Sequence, residues 1–177
     1  LNAGGKLYWT DAGNGGAEEI YTAKLDGTGA VSLLDTTAAG SNSPSGITAD
    51  GTKIYWADNL TGIYSANLDG TGASQLISNA NLAGGQSPDG ITVHNGKLYW
   101  ASSLGTPDDG IWTATVDGTG ATRLVGSPGS SPDADWLLIV PAPEPSTAGL
   151  LVGGAVLLTL ARRRSDGSTG KRSRRVI

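Results

Sequence analysis

Cysteine is absent from this 177-residue chain, and so are methionine and phenylalanine. Without cysteine there is no disulfide, no catalytic thiol and no Cys-ligated zinc site, a composition that fits a secreted bacterial protein. The one histidine, His94, has no second imidazole to share a metal with. No Gly-x-Ser-x-Gly elbow, Gly-rich phosphate loop or nucleophile–base pair stands out. Positive charge is scarce over most of the length: residues 1–161 hold five Lys/Arg against fifteen Asp/Glu, a formal net of −10. Such a body repels phosphates, which argues against nucleic acid as its partner. The opposite charge is gathered at the end, where residues 162–177 carry seven Lys/Arg against Asp166 alone, a net of +6.

Glycine is abundant, with 28 residues, and the aromatic content is entirely Trp and Tyr. With Ile, Val and Thr, this suits short strands joined by tight turns. The chain repeats itself. Lys6-Leu7-Tyr8-Trp9-Thr10-Asp11 returns as Lys53-Ile54-Tyr55-Trp56-Ala57-Asp58 and as Lys97-Leu98-Tyr99-Trp100-Ala101-Ser102, with Trp-to-Trp spacings of 47 and 44 residues. Ile20-Tyr21-Thr22-Ala23, Ile63-Tyr64-Ser65-Ala66 and Ile111-Trp112-Thr113-Ala114 follow in turn. Each unit then has an identical Asp-Gly-Thr-Gly-Ala, at 26–30, 69–73 and 117–121, and a short apolar run. Gly46-Ile47-Thr48 and Gly90-Ile91-Thr92 precede the second and third units, and the first unit lacks this opening strand.

Each unit reads as four short strands, with Asp-Gly making the hairpin between the third and fourth. The strands are apolar on both pleat faces, Leu7 and Trp9 pointing one way and Tyr8 the other. That pattern suits sheets packed between neighbouring sheets. Four strands in roughly 45 residues match one blade of a β-propeller. The fold expected is all-β: a partial propeller of about three four-stranded blades over residues 1–140, with a single C-terminal transmembrane helix.

Tyr8-Trp9-Thr10-Asp11, with the Pro-x-Gly-Ile, Lys-Leu-Tyr-Trp and Leu-Asp-Gly elements in order, resembles the low-density-lipoprotein-receptor class B (YWTD) repeat. The resemblance implies a six-bladed ring, of which residues 6 to about 136 supply half. It also implies that Asp11 and Asp58 make blade-to-blade contacts that Ser102 cannot make as a carboxylate. Leu1 is expected to be an internal residue, with any secretion leader upstream. Missing upstream residues or a second chain are expected to complete the ring. Asp135–Val140 reads as an extra strand finishing a blade begun upstream.

After Val140 the composition changes. Residues 141–147 form a Pro-rich linker containing Pro143-Glu144-Pro145, Ala148–Ala161 is uncharged, and Arg162-Arg163-Arg164 follow at once. The uncharged stretch from Pro145 is 17 residues, or ~25 Å as a helix, the short edge of what spans a bilayer. The arginines would hold residues 162–177 in the cytoplasm and place the repeats across the membrane. A buried core helix is the alternative, and it leaves the position of the triple Arg unexplained. The order Pro-Glu-Pro, short apolar helix, Arg cluster resembles the PEP-CTERM sorting signal of Gram-negative bacteria. That resemblance implies recognition by an exosortase at Pro143, Glu144 and Pro145, with Arg162, Arg163 and Arg164 as the cytoplasmic stop. Ser165–Ile177 is longer than that family carries after its arginines.

Other candidates have simpler structural roles. His94 stands in the slot of Asp50, before a turn, and reads as a polar turn residue rather than a metal ligand. Asp26, Asp69 and Asp117 lack the clustering of a calcium loop and read as turn caps. Asp108-Asp109 is a loop insertion with at most weak cation affinity. The repeated Tyr-Trp pairs could stack on sugars, but their fixed strand position indicates core between blades. No catalytic residue, cofactor or metal is expected. The function expected is a non-enzymatic module at the cell envelope, on the surface or secreted, that binds protein or polysaccharide. The alternatives are a lactonase-like hydrolytic propeller with catalytic residues upstream, and a structural envelope or biofilm component.

Overall fold

The computed structural model describes residues 2–3, 5–13, 17–82, 87–102, 109–126, 137 and 139. The chain divides into Leu1–Ile139 and Val140–Ile177, and every described residue belongs to the first unit. Ala148–Ala161, like Pro143-Glu144-Pro145 and Arg162-Arg163-Arg164, lies outside the described residues. Among the described residues no helix is long and apolar enough to cross a membrane.

Among the described residues twelve strands fall into three four-stranded antiparallel sheets, each a simple meander. The first blade is β1 (Asn2–Ala3), β2 (Lys6–Asp11), β3 (Glu19–Lys24) and β4 (Val31–Asp35). The second is β5 (Pro44–Ala49), β6 (Lys53–Asp58), β7 (Gly62–Asn67) and β8 (Ser74–Ser78). The third is β9 (Pro88–His94), β10 (Lys97–Ser102), β11 (Gly110–Thr115) and β12 (Thr122–Gly126). The second and third sequence units thus fold as the repeat pattern predicts. The register repeats too: Tyr8 lies opposite Thr22, Tyr55 opposite Ser65 and Tyr99 opposite Thr113. A bulge recurs at one place in each third strand, at Ile20/Tyr21, Ile63/Tyr64 and Ile111/Trp112.

The expectation that the first unit lacks its opening strand needs correction. Asn2 pairs with Leu7 as Ala49 pairs with Ile54, so two residues occupy the end of that strand position. Periodicity missed them because Asn2-Ala3 carries no apolar alternation to read.

The second blade shows why its strands are apolar on both faces. Ile54 and Trp56 of β6 point into a cluster with Tyr8, Ile20, Tyr64 and Ala66, against the first blade. Tyr55 and Ala57 point the other way, into a cluster with Leu98, Trp100, Trp112 and Ala114 of the third. The Asp-Gly-Thr-Gly hairpins complete the packing. Gly70 (φ +84°) lies so close to the first blade that a Cβ there would meet the Leu33 carbonyl at 2.6 Å. Gly118 (φ +85°) stands likewise against Leu76 of the second blade, at 2.7 Å. Glycine is required at both for the left-handed backbone and for the close approach.

The opening strands β5 and β9 lie side by side. Ser45 Oγ donates to the Asp89 carbonyl at 3.3 Å, and the Val93 amide donates to Thr48 Oγ1 at 3.2 Å. Between the first and second blades, Thr10 Oγ1 donates to the Ser45 carbonyl at 2.7 Å and Tyr8 to the Leu68 carbonyl at 3.3 Å.

Candidate functional site

A polar group with many partners is Asp58, at the end of β6 and fully buried. Its Oδ2 accepts from Ser41 Oγ at 2.7 Å and from the amides of Asn42 and Ser43 at 2.6 and 2.8 Å. Its Oδ1 accepts from the amides of Leu60 and Thr61 at 2.9 and 2.8 Å. The first three donors belong to the connection that brings the chain from the first blade into the second, and the last two to the β6–β7 turn. One carboxylate therefore fastens the crossing between blades to the turn beside it. The Trp56 indole N–H donates to Ser41 Oγ at 3.0 Å, which orients that hydroxyl toward Asp58. Burial opposes the charge on Asp58, but the donors from Ser43, Ser41, Leu60 and Thr61 outweigh it and hold the carboxyl below its ordinary value.

Glu18 behaves in the opposite way. Burial and then the nearby Asp58 charge raise its pKa, and its Oε2 is buried with no hydrogen-bond partner among the described residues. Sequence reasoning had not singled out Glu18, whose partner stands 40 residues along the chain.

The third blade has Ser102 where the second has Asp58. Ser102 is buried and its Oγ has no hydrogen-bond partner among the described residues. In the first blade Asp11 is exposed and, among the described residues, accepts from the Gly13 amide at 3.1 Å.

The repeated hairpin aspartates are turn caps. Asp26, Asp69 and Asp117 each accept from the amide and the hydroxyl of the threonine two residues on, at 2.6 to 3.0 Å. Hydroxyl and amide donors lower all three pKa values, that of Asp117 to about 2 through Thr115 and Thr119. Asp35 and Asp50 cap Thr37 and Thr52 in the same manner. The Asp-x-Thr spacing common to all five was the signal that could have identified these last two. Burial opposes the charge on Asp50, yet donors from Lys53, Thr52 and Tyr55 bring its pKa to about 2.

His94 ends β9 opposite Lys97, in the register place that Asp50 holds opposite Lys53, as a turn residue would. Asp109 is buried, while Asp108 lies outside the described residues. Among the described residues no three His, Cys, Asp or Glu side chains are grouped as a metal site requires. Tyr8, Tyr55, Trp56 and Trp100 are buried between blades, where their repeated position put them. Trp9 is the departure, because it is exposed.

Capped hairpins, twin aromatic layers and an aspartate locking the blade crossing are the working parts of a stacked-blade repeat. Residues 52–95 match the low-density lipoprotein receptor repeat class B. The match opens just before β6 and closes just after β9, so the matched segment is offset from the blade by one strand. It supplies three strands of the second blade and the opening strand of the third. The offset ties adjacent blades together covalently, and the two strands that flank its boundary, β5 and β9, make the contacts described above. No curated protein matches the chain.

Proposed function

We propose that this chain is an exported propeller-repeat module that binds another protein or a polysaccharide at the bacterial cell envelope or outside the cell. Supporting this is a single ordering along the chain: class B-type repeats, Pro143-Glu144-Pro145, an uncharged stretch, then Arg162-Arg163-Arg164. The apolar stretch holds the protein in the inner membrane after export, with the arginines left in the cytoplasm. An exosortase-type enzyme then recognises Pro-Glu-Pro and releases the repeats from the helix. The module is non-enzymatic. In support, Asp26, Asp35, Asp50, Asp58, Asp69 and Asp117 are all engaged in holding turns and connections, which leaves them poorly suited to general acid–base work.

Expression with one tag in the repeats and another after Ile177, followed by fractionation, tests this. Export and processing predict the repeat tag at the surface or in the medium, on a chain without the Ile177 tag. Glu144→Gln and Pro145→Ala should trap the uncleaved chain in the inner membrane. Both tags together in the cytosol would overturn the proposal.

A further inference from the structure

Glycine follows an aspartate or an asparagine repeatedly in this chain, and all such pairs share one chemistry. The glycine nitrogen attacks the side-chain carbonyl carbon of the residue before it and closes a succinimide ring. Glycine favours the step because no Cβ stands in the way. The structure separates the pairs. In the three repeated hairpins both reacting groups are held. Gly27, Gly70 and Gly118 donate their amides to the Lys24, Asn67 and Thr115 carbonyls, each at 2.9 Å. Asp26, Asp69 and Asp117 are bonded to the threonine two residues on, whose donors favour the ionised form. An ionised carboxylate resists attack by an amide nitrogen. Asp50 is held in the same way by Thr52, Lys53 and Tyr55. Asp89-Gly90 lies inside β9 against Gly46 of β5, and Asp109 is buried.

Asn95-Gly96 differs on each count. The pair forms the turn between β9 and β10, closed by His94 opposite Lys97, with φ of +48° and +72° as a type I′ hairpin requires. Among the described residues Asn95 alone has a positive φ without being glycine, and that backbone carries strain which rotation out of the turn releases. Its side chain is a neutral amide, with ammonia as the leaving group. Both residues are exposed. Among the described residues neither the Asn95 side chain nor the Gly96 amide has a hydrogen-bond partner. Apart from its chain neighbours, nothing lies within 4 Å of where a Gly96 Cβ would stand. The Gly96 carbonyl accepts from the Val116 amide at 3.2 Å, which anchors the far side of the turn and leaves the peptide that must rotate unheld.

We propose that Asn95 is a site of spontaneous covalent modification, at which the Gly96 nitrogen attacks Asn95 Cγ, gives up its proton and expels the side-chain nitrogen as ammonia. Water then opens the ring at either carbonyl and leaves aspartate or isoaspartate at position 95. One water is consumed for each ammonia released, and no enzyme, oxidant or cofactor enters. The product sets a carboxylate between His94 and Lys97. Where isoaspartate forms, the main chain gains a methylene inside the turn, which loosens the pairing of β9 with β10 next to it.

Timed incubation of the purified 177-residue chain in mildly alkaline buffer, followed by digestion and fragmentation mass spectrometry, tests this. An Asn14→Gln background removes the other Asn-Gly pair, which lies outside the described residues. The amide-to-acid mass shift should appear at Asn95 several-fold faster than at the exposed Asn42 and Asn67, as two chromatographically distinct products. Asn95→Gly, which keeps the positive φ at no cost, should abolish the early shift and the ammonia released with it. Asp26, Asp50, Asp69 and Asp117 should form isoaspartate only once urea has unfolded the chain. Conversion of Asn95 no faster than that of Asn42 and Asn67 overturns the inference, because the turn then keeps the nitrogen out of reach of Cγ. So does isoaspartate arising first at the capped aspartates of the folded chain.

Discussion

Replacing Asp58 by asparagine preserves the shape of the side chain but removes its charge and turns one of its two oxygens into a donor. In either orientation of the amide, the NH₂ group faces N–H donors: Leu60 and Thr61 on one side, or Asn42 and Ser43 together with the Ser41 hydroxyl on the other. The cheaper orientation strands two part-buried backbone amides. At about 1–3 kcal/mol for each unsatisfied group, Asp58→Asn should destabilise the fold by about 2–6 kcal/mol. That is a large fraction of the roughly 5–15 kcal/mol that holds a domain together. Urea unfolding followed by tryptophan fluorescence measures the loss, and Trp56, bonded to Ser41 beside Asp58, lies close to the perturbation. The pH dependence gives a second readout. Asp58 has a lower pKa folded than unfolded, so its contribution is present above the ordinary carboxylate range and is lost as pH falls through the depressed folded value. Asp58→Asn should therefore flatten the acid side of the stability profile. A loss under about 1 kcal/mol, with an unchanged acid limb, would refute the role given to this carboxylate.

Ser102→Ala removes a buried hydroxyl that has no partner among the described residues, so urea unfolding should show it neutral or stabilising by up to about 1 kcal/mol. Gly29→Ala, at φ +67° with open space around it, should cost about 1–2 kcal/mol from the backbone alone. Gly70→Ala should cost about 1–3 kcal/mol more because its Cβ collides with the Leu33 carbonyl, and thermal melts of the two variants isolate that difference. Trp56→Ala, fully buried in the joint, should cost about 3–5 kcal/mol by urea titration. Tyr55→Phe removes the 2.8 Å bond to Asp50 Oδ2. It should cost about 1–2 kcal/mol and raise the Asp50 pKa from about 2 toward its ordinary value, as a carboxyl-detected NMR titration would show.

The repeat made much of this structure readable from the sequence. Strand identity, the hairpin at each Asp-Gly and the two-faced apolar pattern of the Tyr-Trp strands all follow from local chemistry copied three times over. Alternation on a pleat tells which residues share a face, and a turn aspartate needs only the threonine two positions on. The abrupt change of composition after Val140 is equally a property of the chain alone.

Tertiary structure decided what depends on neighbours distant along the chain. That Asp58 gathers donors from Ser41 to Thr61, and raises the pKa of Glu18, depends on how a connection folds back over β6. No spacing encodes that. Trp9 and Trp56 share one sequence context, yet one is exposed and the other sealed. Gly27 and Gly70 share one turn, yet only Gly70 has a backbone carbonyl against it. Identical residues differ here because burial is a property of the joint between blades, and whether a joint has both of its sides is settled only in three dimensions.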